Sequence, residues 1–475
     1  MSKTYRPWQP HQSLLFPPSP LDWVPEGHLV RFILEIVEQL DLSAIYARYE
    51  REERGYPPYH PQMMVALLLY AYCVGVPSSR KIEKRCYEDV AFRVVTGNTQ
   101  PHNSSISEFR RIHLASVQQL FVQVLLLCRK AGLVKLGHIA VDGTKIKANA
   151  SKHKAMSYER MTKDEEELAK KVAELLRVAE AVDAAEDAEY GPGVRGDELP
   201  KELQRAGDRI KRIAQLKAEL EAEAKEQADA RRAAQTEEAQ LEAALREMRN
   251  VEAAHEAANR DDDDEPPLPP SPEPLAEHQV PTDNSGAPTA KAQRNFTDSD
   301  SRIMKTGDGF VQGYNAQIAV DDAAQIIVAL GVTNQPPDCE QLVPMLDRVV
   351  QNCAARPQRA SADNGYLSEH NVARASARGI DVYIAPGRIK HGPADAATAP
   401  ECTSIKERMK AKLATDEGRA VYSRRKVIVE PVFGQMKNRG FRGFLLRGLE
   451  KVRGEYSLMA LSHNLLKLYV ATAAA

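Results

Sequence analysis

Near the C-terminus, Val421 to Gly443 reads VYSRRKVIVEPVFGQMKNRGFRG and sets one acid, Glu430, among Arg424, Arg425, Lys426, Lys437, Arg439 and Arg442. A carboxylate among that many cations suits a pocket that grips polyphosphate and offers one ligand to a divalent metal. It does not suffice alone, because Mg2+ takes several hard oxygen donors converging from different elements. Two upstream acids stand at expected strand ends: Asp142 in HIAVDGTKIKA and Asp363 in RASADNGYLSE. Read singly, each is more simply a turn former or helix cap. Read together, the three point to metal-dependent phosphoryl transfer. No Ser-His or Cys-His arrangement offers a protein nucleophile. Gly307, Gly309 and Gly313 miss GxGxxG spacing and precede no helix, which excludes a dinucleotide loop.

The elements that would position these acids follow from periodicity. Leu136 to Val141 reads as a buried strand delivering Asp142 at its C-terminal end, with Gly143, Thr144, Lys145 and Lys147 behind it. Phe310 to Asp321 alternates as a strand, turns at Asp321-Asp322, and returns as Gln325 to Thr333, an antiparallel hairpin. Asp338 to Asn352 is helical, Gln358 to Ala362 is a strand ending at Asp363, Ser368 caps a helix to Arg378, and Ile380 to Ala385 is a further strand. Residues 387 to 402 read as loop. Val421 to Asn438 is mostly helical; Pro431 either opens that helix or kinks it. Glu430 and Lys437, two turns apart, share a face if the helix continues. The resulting order, with an acid after the first strand, an acid after a later one and an acid on the last helix, is that of a ribonuclease-H-like mixed sheet.

At 475 residues the chain needs more than one core. Its net charge of −2 hides segregation: acids cluster at Asp261 to Glu265, while from Lys406 to Arg453 bases outnumber acids more than two to one. Such a stretch reads as a nucleic-acid surface or as an ordinary solvated face. The six cysteines show no CxxC pair and read as buried hydrophobes in a reducing cytosol. Met63 to Val76 is too short to span a bilayer and reads as a buried helix, so no membrane partner is expected.

Five segments are expected. Residues 1–27 are an extended arm pinned by Trp8, Phe16 and Trp23. Residues 28–132 are all-helical, with Arg80, Lys81, Lys84, Arg85, Arg110 and Arg111 either docking DNA in helix-turn-helix fashion or simply exposed. Residues 133–156 and 295–475 form the catalytic domain. Residues 157–259 show coiled-coil steps at Leu168, Val172, Leu175, Ala179 and Val182, broken at Tyr190-Gly-Pro-Gly193, and act as an arm, a spacer or a dimer contact. Residues 260–294 are an acidic, Pro-rich disordered linker.

The chain resembles bacterial insertion-sequence transposases of the DDE type. The resembling words are IAVDGTKIKANAS, FTDSDSRIMK with FVQGYNAQIAVD, SADNGYLSE, and VEPVFGQMKNRGFRGFLLRGLEKVRGEYSLMALSHNLLKL, with HPQMMVALLLYAY and SISEFRR in the helical region. Only the insertion and linker stand outside it. The resemblance implies an α/β, ribonuclease-H-like enzyme with an all-helical N-terminal domain and a coiled-coil insertion after the first catalytic strand. It implies cut-and-paste transposition through a triad, Asp142, Asp363 and Glu430, holding two Mg2+ or Mn2+ ions. Its partners would be double-stranded DNA, as terminal inverted repeats and target, and a second copy or more of the chain, at the nucleoid in a bacterial cytoplasm. Relatives add a Tyr-Arg-Glu-Lys signature. Lys437 falls at the expected distance after Glu430, whereas Tyr422 and Arg425 are spaced correctly from each other but lie one residue too far from it. These three, with Arg424, Arg439 and Arg442, are the expected DNA contacts. A ribonuclease-H-like nuclease or domesticated DNA-processing enzyme would cleave without joining. A non-catalytic DNA-binding coiled-coil scaffold would bind DNA regardless of Mg2+.

Overall fold

The computed structural model describes residues 19–49, 57–190, 201–234, 272–283, 285–307, 309–387 and 404–473. Trp8, Phe16, the Gly-Pro-Gly break after Tyr190, the acidic run Asp261 to Glu265 and most of the 387–402 loop lie outside them. Two compact units are present: Met1–Ser116 with Tyr469–Ala475, and Val117–Leu468.

The first unit is helical. In α1 (Leu29–Gln39), Val30, Ile33, Ile36 and Val37 form the buried stripe, and His28 Nδ1 accepts from the Val30 amide at 3.1 Å. The short α2 (Ser43–Tyr49) buries Ile45. Pro61 opens α3 (Pro61–Cys73), which is buried all round, as expected of a core helix, and Gly75 at φ 73 follows its end. The stretch after Ser78 forms two helices, α4 (Ser79–Glu88) and α5 (Val90–Val95), divided where the Asp89 carboxylate caps the Ala91 amide at 3.0 Å. Two further helices follow, α6 (Asn103–Ile112) and α7 (Leu114–Lys130), the latter belonging to the second unit from Val117 onward. Arg110 is not a surface contact: it is buried and donates to Tyr72 Oη, Ser79 Oγ and the Pro77 carbonyl. Trp23, expected to pin the arm, is 54 % exposed. Cys73, Cys86, Cys128 and Cys353 are buried thiols. Among the described residues, no single helix is long and apolar enough to cross a membrane.

The second unit is built on a mixed sheet of β1 (His138–Lys147), β4 (Arg302–Thr306), β5 (Gly309–Asp321), β6 (Ile327–Thr333), β7 (Arg359–Ala362) and β8 (Asp381–Ile384). The order is β4-β5-β1-β7-β8, with β6 also on β5. β1 runs antiparallel to β5 and parallel to β7, and β7 is parallel to β8, an arrangement consistent with a ribonuclease-H-like domain. Helices α10 (Leu342–Cys353), α11 (Glu369–Ala377), α12 (Ile405–Ala414), α13 (Asp416–Asn438) and α14 (Leu449–Ala473) complete the chain. β5 is buried along most of its length, as a central strand covered on both faces must be. At Gly313 a Cβ would lie 2.4 Å from the Ile146 carbonyl oxygen, and that backbone is held by the β1–β5 ladder. Gly313→Ala is therefore expected to cost about 2–3 kcal/mol, read as a lower urea midpoint.

Between β1 and β4 the chain leaves the sheet. A two-strand stem, β2 (Ala155–Ser157) on β3 (Gln293–Asn295), carries two long helices, α8 (Tyr158–Tyr190) and α9 (Lys201–Ala234). They run antiparallel at the base, where Met161 packs with Ile213 and Leu216, and Glu165 pairs with Lys217 at 3.0 Å. The side chains of Val172, Leu175, Ala179 and Val182 lie outside those described.

Candidate active site

Asp142 is inside a strand rather than at its end. β1 continues to Lys147 because β5 pairs with it throughout, and because Gly143 leaves space that Gln317 fills: a Cβ there would stand 2.4 Å from Gln317 Nε2. What ends beside Asp142 is the neighbour. The parallel β1–β7 register runs to Val141↔Ala362, so the next residue on each strand is Asp142 and Asp363. Adjacent strands lie about 4.8 Å apart, which sets the two carboxylates side by side. Asp363 remains extended, at φ −76 and ψ 178, and caps the following turn through the Gly365 amide at 2.9 Å. Asp142 Oδ1 accepts from Gly143 N at 2.8 Å, and Oδ2 accepts from Arg425 Nη1 at 3.1 Å.

Burial pushes the Asp142 carboxyl up to about 6, against the pull of Arg425 and with the push of Asp363 and Asp338. The folded protein thus holds a proton that the unfolded chain has already released. This group's contribution to stability is full below pH about 4 and is lost as pH rises through about 6. Relative to Asp142→Asn, metal-free wild type should lose about 2 kcal/mol between those pH values, checked by urea midpoints at both ends.

A third acid, not singled out in the sequence, lies beside the pair. Asp338 Oδ1 accepts from Lys145 Nζ at 3.0 Å, Asn315 Nδ2 at 2.7 Å and Gln317 Nε2 at 2.7 Å. Lys145 and Asp338 are mostly buried, and the fully buried Tyr366 hydroxyl donates to Gln317 Oε1. The signal is in the sequence: Asn315 and Gln317 put amides at alternate positions among the apolar Ala316, Ile318, Ala319 and Val320, and buried amides require a partner.

Above β1 packs α13. Thr415 Oγ1 caps its Gly418 amide at 2.9 Å, Asp416 and Glu417 sit at the positive end of its dipole, and Val421, Arg425, Ile428, Val429, Val432, Phe433 and Met436 are buried. Pro431 neither starts nor ends this helix. It lacks the N–H that would reach the Val427 carbonyl, and Gln325 Nε2 supplies that bond instead at 2.9 Å. Arg425 faces Asp142, and the Tyr422 ring lies 5.8 Å from its guanidinium. Burial raises the Tyr422 hydroxyl, with Asp363 and Asp142 contributing.

Glu430 is not brought to the pair. Five residues beyond Arg425, it points about 140° away round the helix, is exposed, and makes no hydrogen bond or ion pair among the described residues. Lys437 is exposed and shares its side of the helix. Arg424 is exposed and forks onto Asp322. Arg439 is half-buried, reaching Ser462 Oγ at 3.4 Å, and Arg442 is exposed. Among the described residues, no three His, Cys, Asp or Glu side chains converge as a metal cluster. Asp142 and Asp363 alone fit a divalent cation, as hard carboxylate oxygens on neighbouring strands.

Comparison with known proteins adds two findings. Residues 18–111 match the family described as Transposase domain (DUF772), and residues 280–465 match the family described as Transposase DDE domain. The second match covers Asp338, Asp363 and all of α13; Asp142 lies before it, on the far side of the insertion. No curated protein and no solved structure matches the chain. Two transposase families in this order, on a helical unit and on a mixed sheet with paired acids, identify the chain as a member of the insertion-sequence DDE transposases.

Proposed function

We propose that this chain cuts the ends of its insertion sequence and joins them to target DNA, with Asp142, Asp363 and Glu430 as metal ligands. The observation that carries the reading is the pairing of Asp142 with Asp363 on adjacent parallel strands beneath a cationic helix. A pair of Mg2+ or Mn2+ ions bound there supplies Lewis acidity at the scissile phosphate. The chain's own residues do the rest. Asp142 and Asp363 form a rigid double anion whose spacing the sheet sets. Glu430 completes the set only if α13 turns or its side chain swings inward. Lys437, Arg442, Arg439, Arg424, Tyr422 and Arg425 bind the backbone of double-stranded DNA, so affinity falls with salt. Two ends must be held at once, so the working form is a dimer or larger, with the α8–α9 pair as a coiled-coil contact or spacer. The work is done on bacterial DNA, at the nucleoid.

The test is a strand-transfer assay with a terminal inverted repeat and supercoiled target. Joined product is expected with Mg2+ and absent with EDTA. Cleavage without joining would favour a nuclease of the same fold.

A further inference from the structure

The face of α13 that meets the acid pair carries an arginine. Arg425 is 8 % exposed, Nη1 is on Asp142, and Nε is buried with no hydrogen-bond partner. This guanidinium pairs with the Asp142 carboxylate, at 3.1 Å. Its seat is fixed from elsewhere: Gln325, at φ 59, holds the Val427 carbonyl, and Arg424 holds Asp322 in the same turn. The five-residue step from Arg425 to Glu430 means that when one faces the acids the other does not.

We infer that Arg425 is the resident counter-cation of Asp142, and that a divalent cation must displace it to bind. The inference rests on reading Asp142 as a metal ligand. A guanidinium and a dication repel strongly at this range, and both oxygens of Asp142 are already engaged, Oδ1 by the Gly143 amide and Oδ2 by Arg425. The single charge balances Asp142 in the metal-free protein and yields to the double charge. Once displaced, the guanidinium is available to a DNA phosphate.

The experiment is Mn2+ binding to the full-length protein without DNA, followed by electron paramagnetic resonance. Arg425→Gln is expected to bind Mn2+ about tenfold more tightly than wild type. Arg419→Gln, which removes another cation of the same helix that is paired with Asp416, should bind as wild type does. Asp142→Asn should bind more weakly than any of them. In wild type, addition of diamagnetic Mg2+ should move the Arg425 guanidinium nitrogen resonances toward those of a solvated arginine, a readout that needs no variant. Equal or weaker Mn2+ binding by Arg425→Gln, or unmoved resonances at saturating Mg2+, overturns the counter-cation role and leaves Asp142 a ligand. Undiminished Mn2+ binding by Asp142→Asn overturns the metal reading itself, and this inference with it.

Discussion

Asp142→Asn and Asp363→Asn should each reduce Mg2+-dependent cleavage of a terminal inverted repeat by about three orders of magnitude or more. DNA binding in EDTA should stay within about threefold, because the cations that grip phosphate are untouched. The size of the expected loss follows from the geometry. The two carboxylates are adjacent on parallel strands, so neither has a substitute at its own position. Glu430→Gln discriminates between two states of α13. A loss as deep as that of the aspartates means the helix delivers Glu430 during turnover. A variant that still cleaves removes Glu430 from the set of ligands. The readout is single-turnover cleavage of a labelled DNA end, with binding measured in parallel.

Asp338→Ala should have the second large effect, on stability as well as on activity. It strips the acceptor from the Lys145 ammonium and from the Asn315 and Gln317 amides in one step. Removing one partner of a mostly buried, hydrogen-bonded ion pair costs about 3 kcal/mol, so thermal unfolding should move down by several degrees. Asp338→Asn should cost less, since it keeps an acceptor. Combining it with Lys145→Met should recover part of the loss, because no ammonium is then left uncompensated. If Asp338→Ala unfolds at the wild-type temperature, the network is not holding this corner of the sheet together.

Some of this site was legible beforehand and some was not, for identifiable reasons. Asp142 follows a short apolar run and Asp363 a short segment, Gln358 to Ala362, that also reads as a strand, and two parallel neighbours bring their C-terminal ends side by side. β1 runs on past the glycine that reads as its terminator, because Gly143 is a place of close approach to Gln317. Glu430 turned on helical phase. At about 100° per residue, a single extra residue between Arg425 and Glu430 decides which of them meets the sheet, and composition carries no trace of that. Pro431 suggested a break, and the helix continues because a side chain from another turn takes up the spare carbonyl. Asp338 looked like the start of a helix, and only the amides of β5, facing it across the fold, give it a different meaning. Arg110 is the converse case: a basic residue in a polar helix reads as surface, and three acceptors from α3, α4 and the loop between them hold it inside.

The β2–β3 stem closes the insertion at its root, with Ala155 opposite Asn295 and Ser157 opposite Gln293. Everything beyond it starts and finishes at one point in space. The returning segment, expected as disordered linker up to residue 294, is instead clamped to the sheet before it reaches the stem: Leu275 and Val280 are buried, the Ala276 carbonyl accepts from Thr333 Oγ1 and Gln341 Nε2, and Glu277 pairs with Arg453. A protein engineer who swaps a reporter or a targeting module into this appendage must therefore keep residues 272–295 together with the stem.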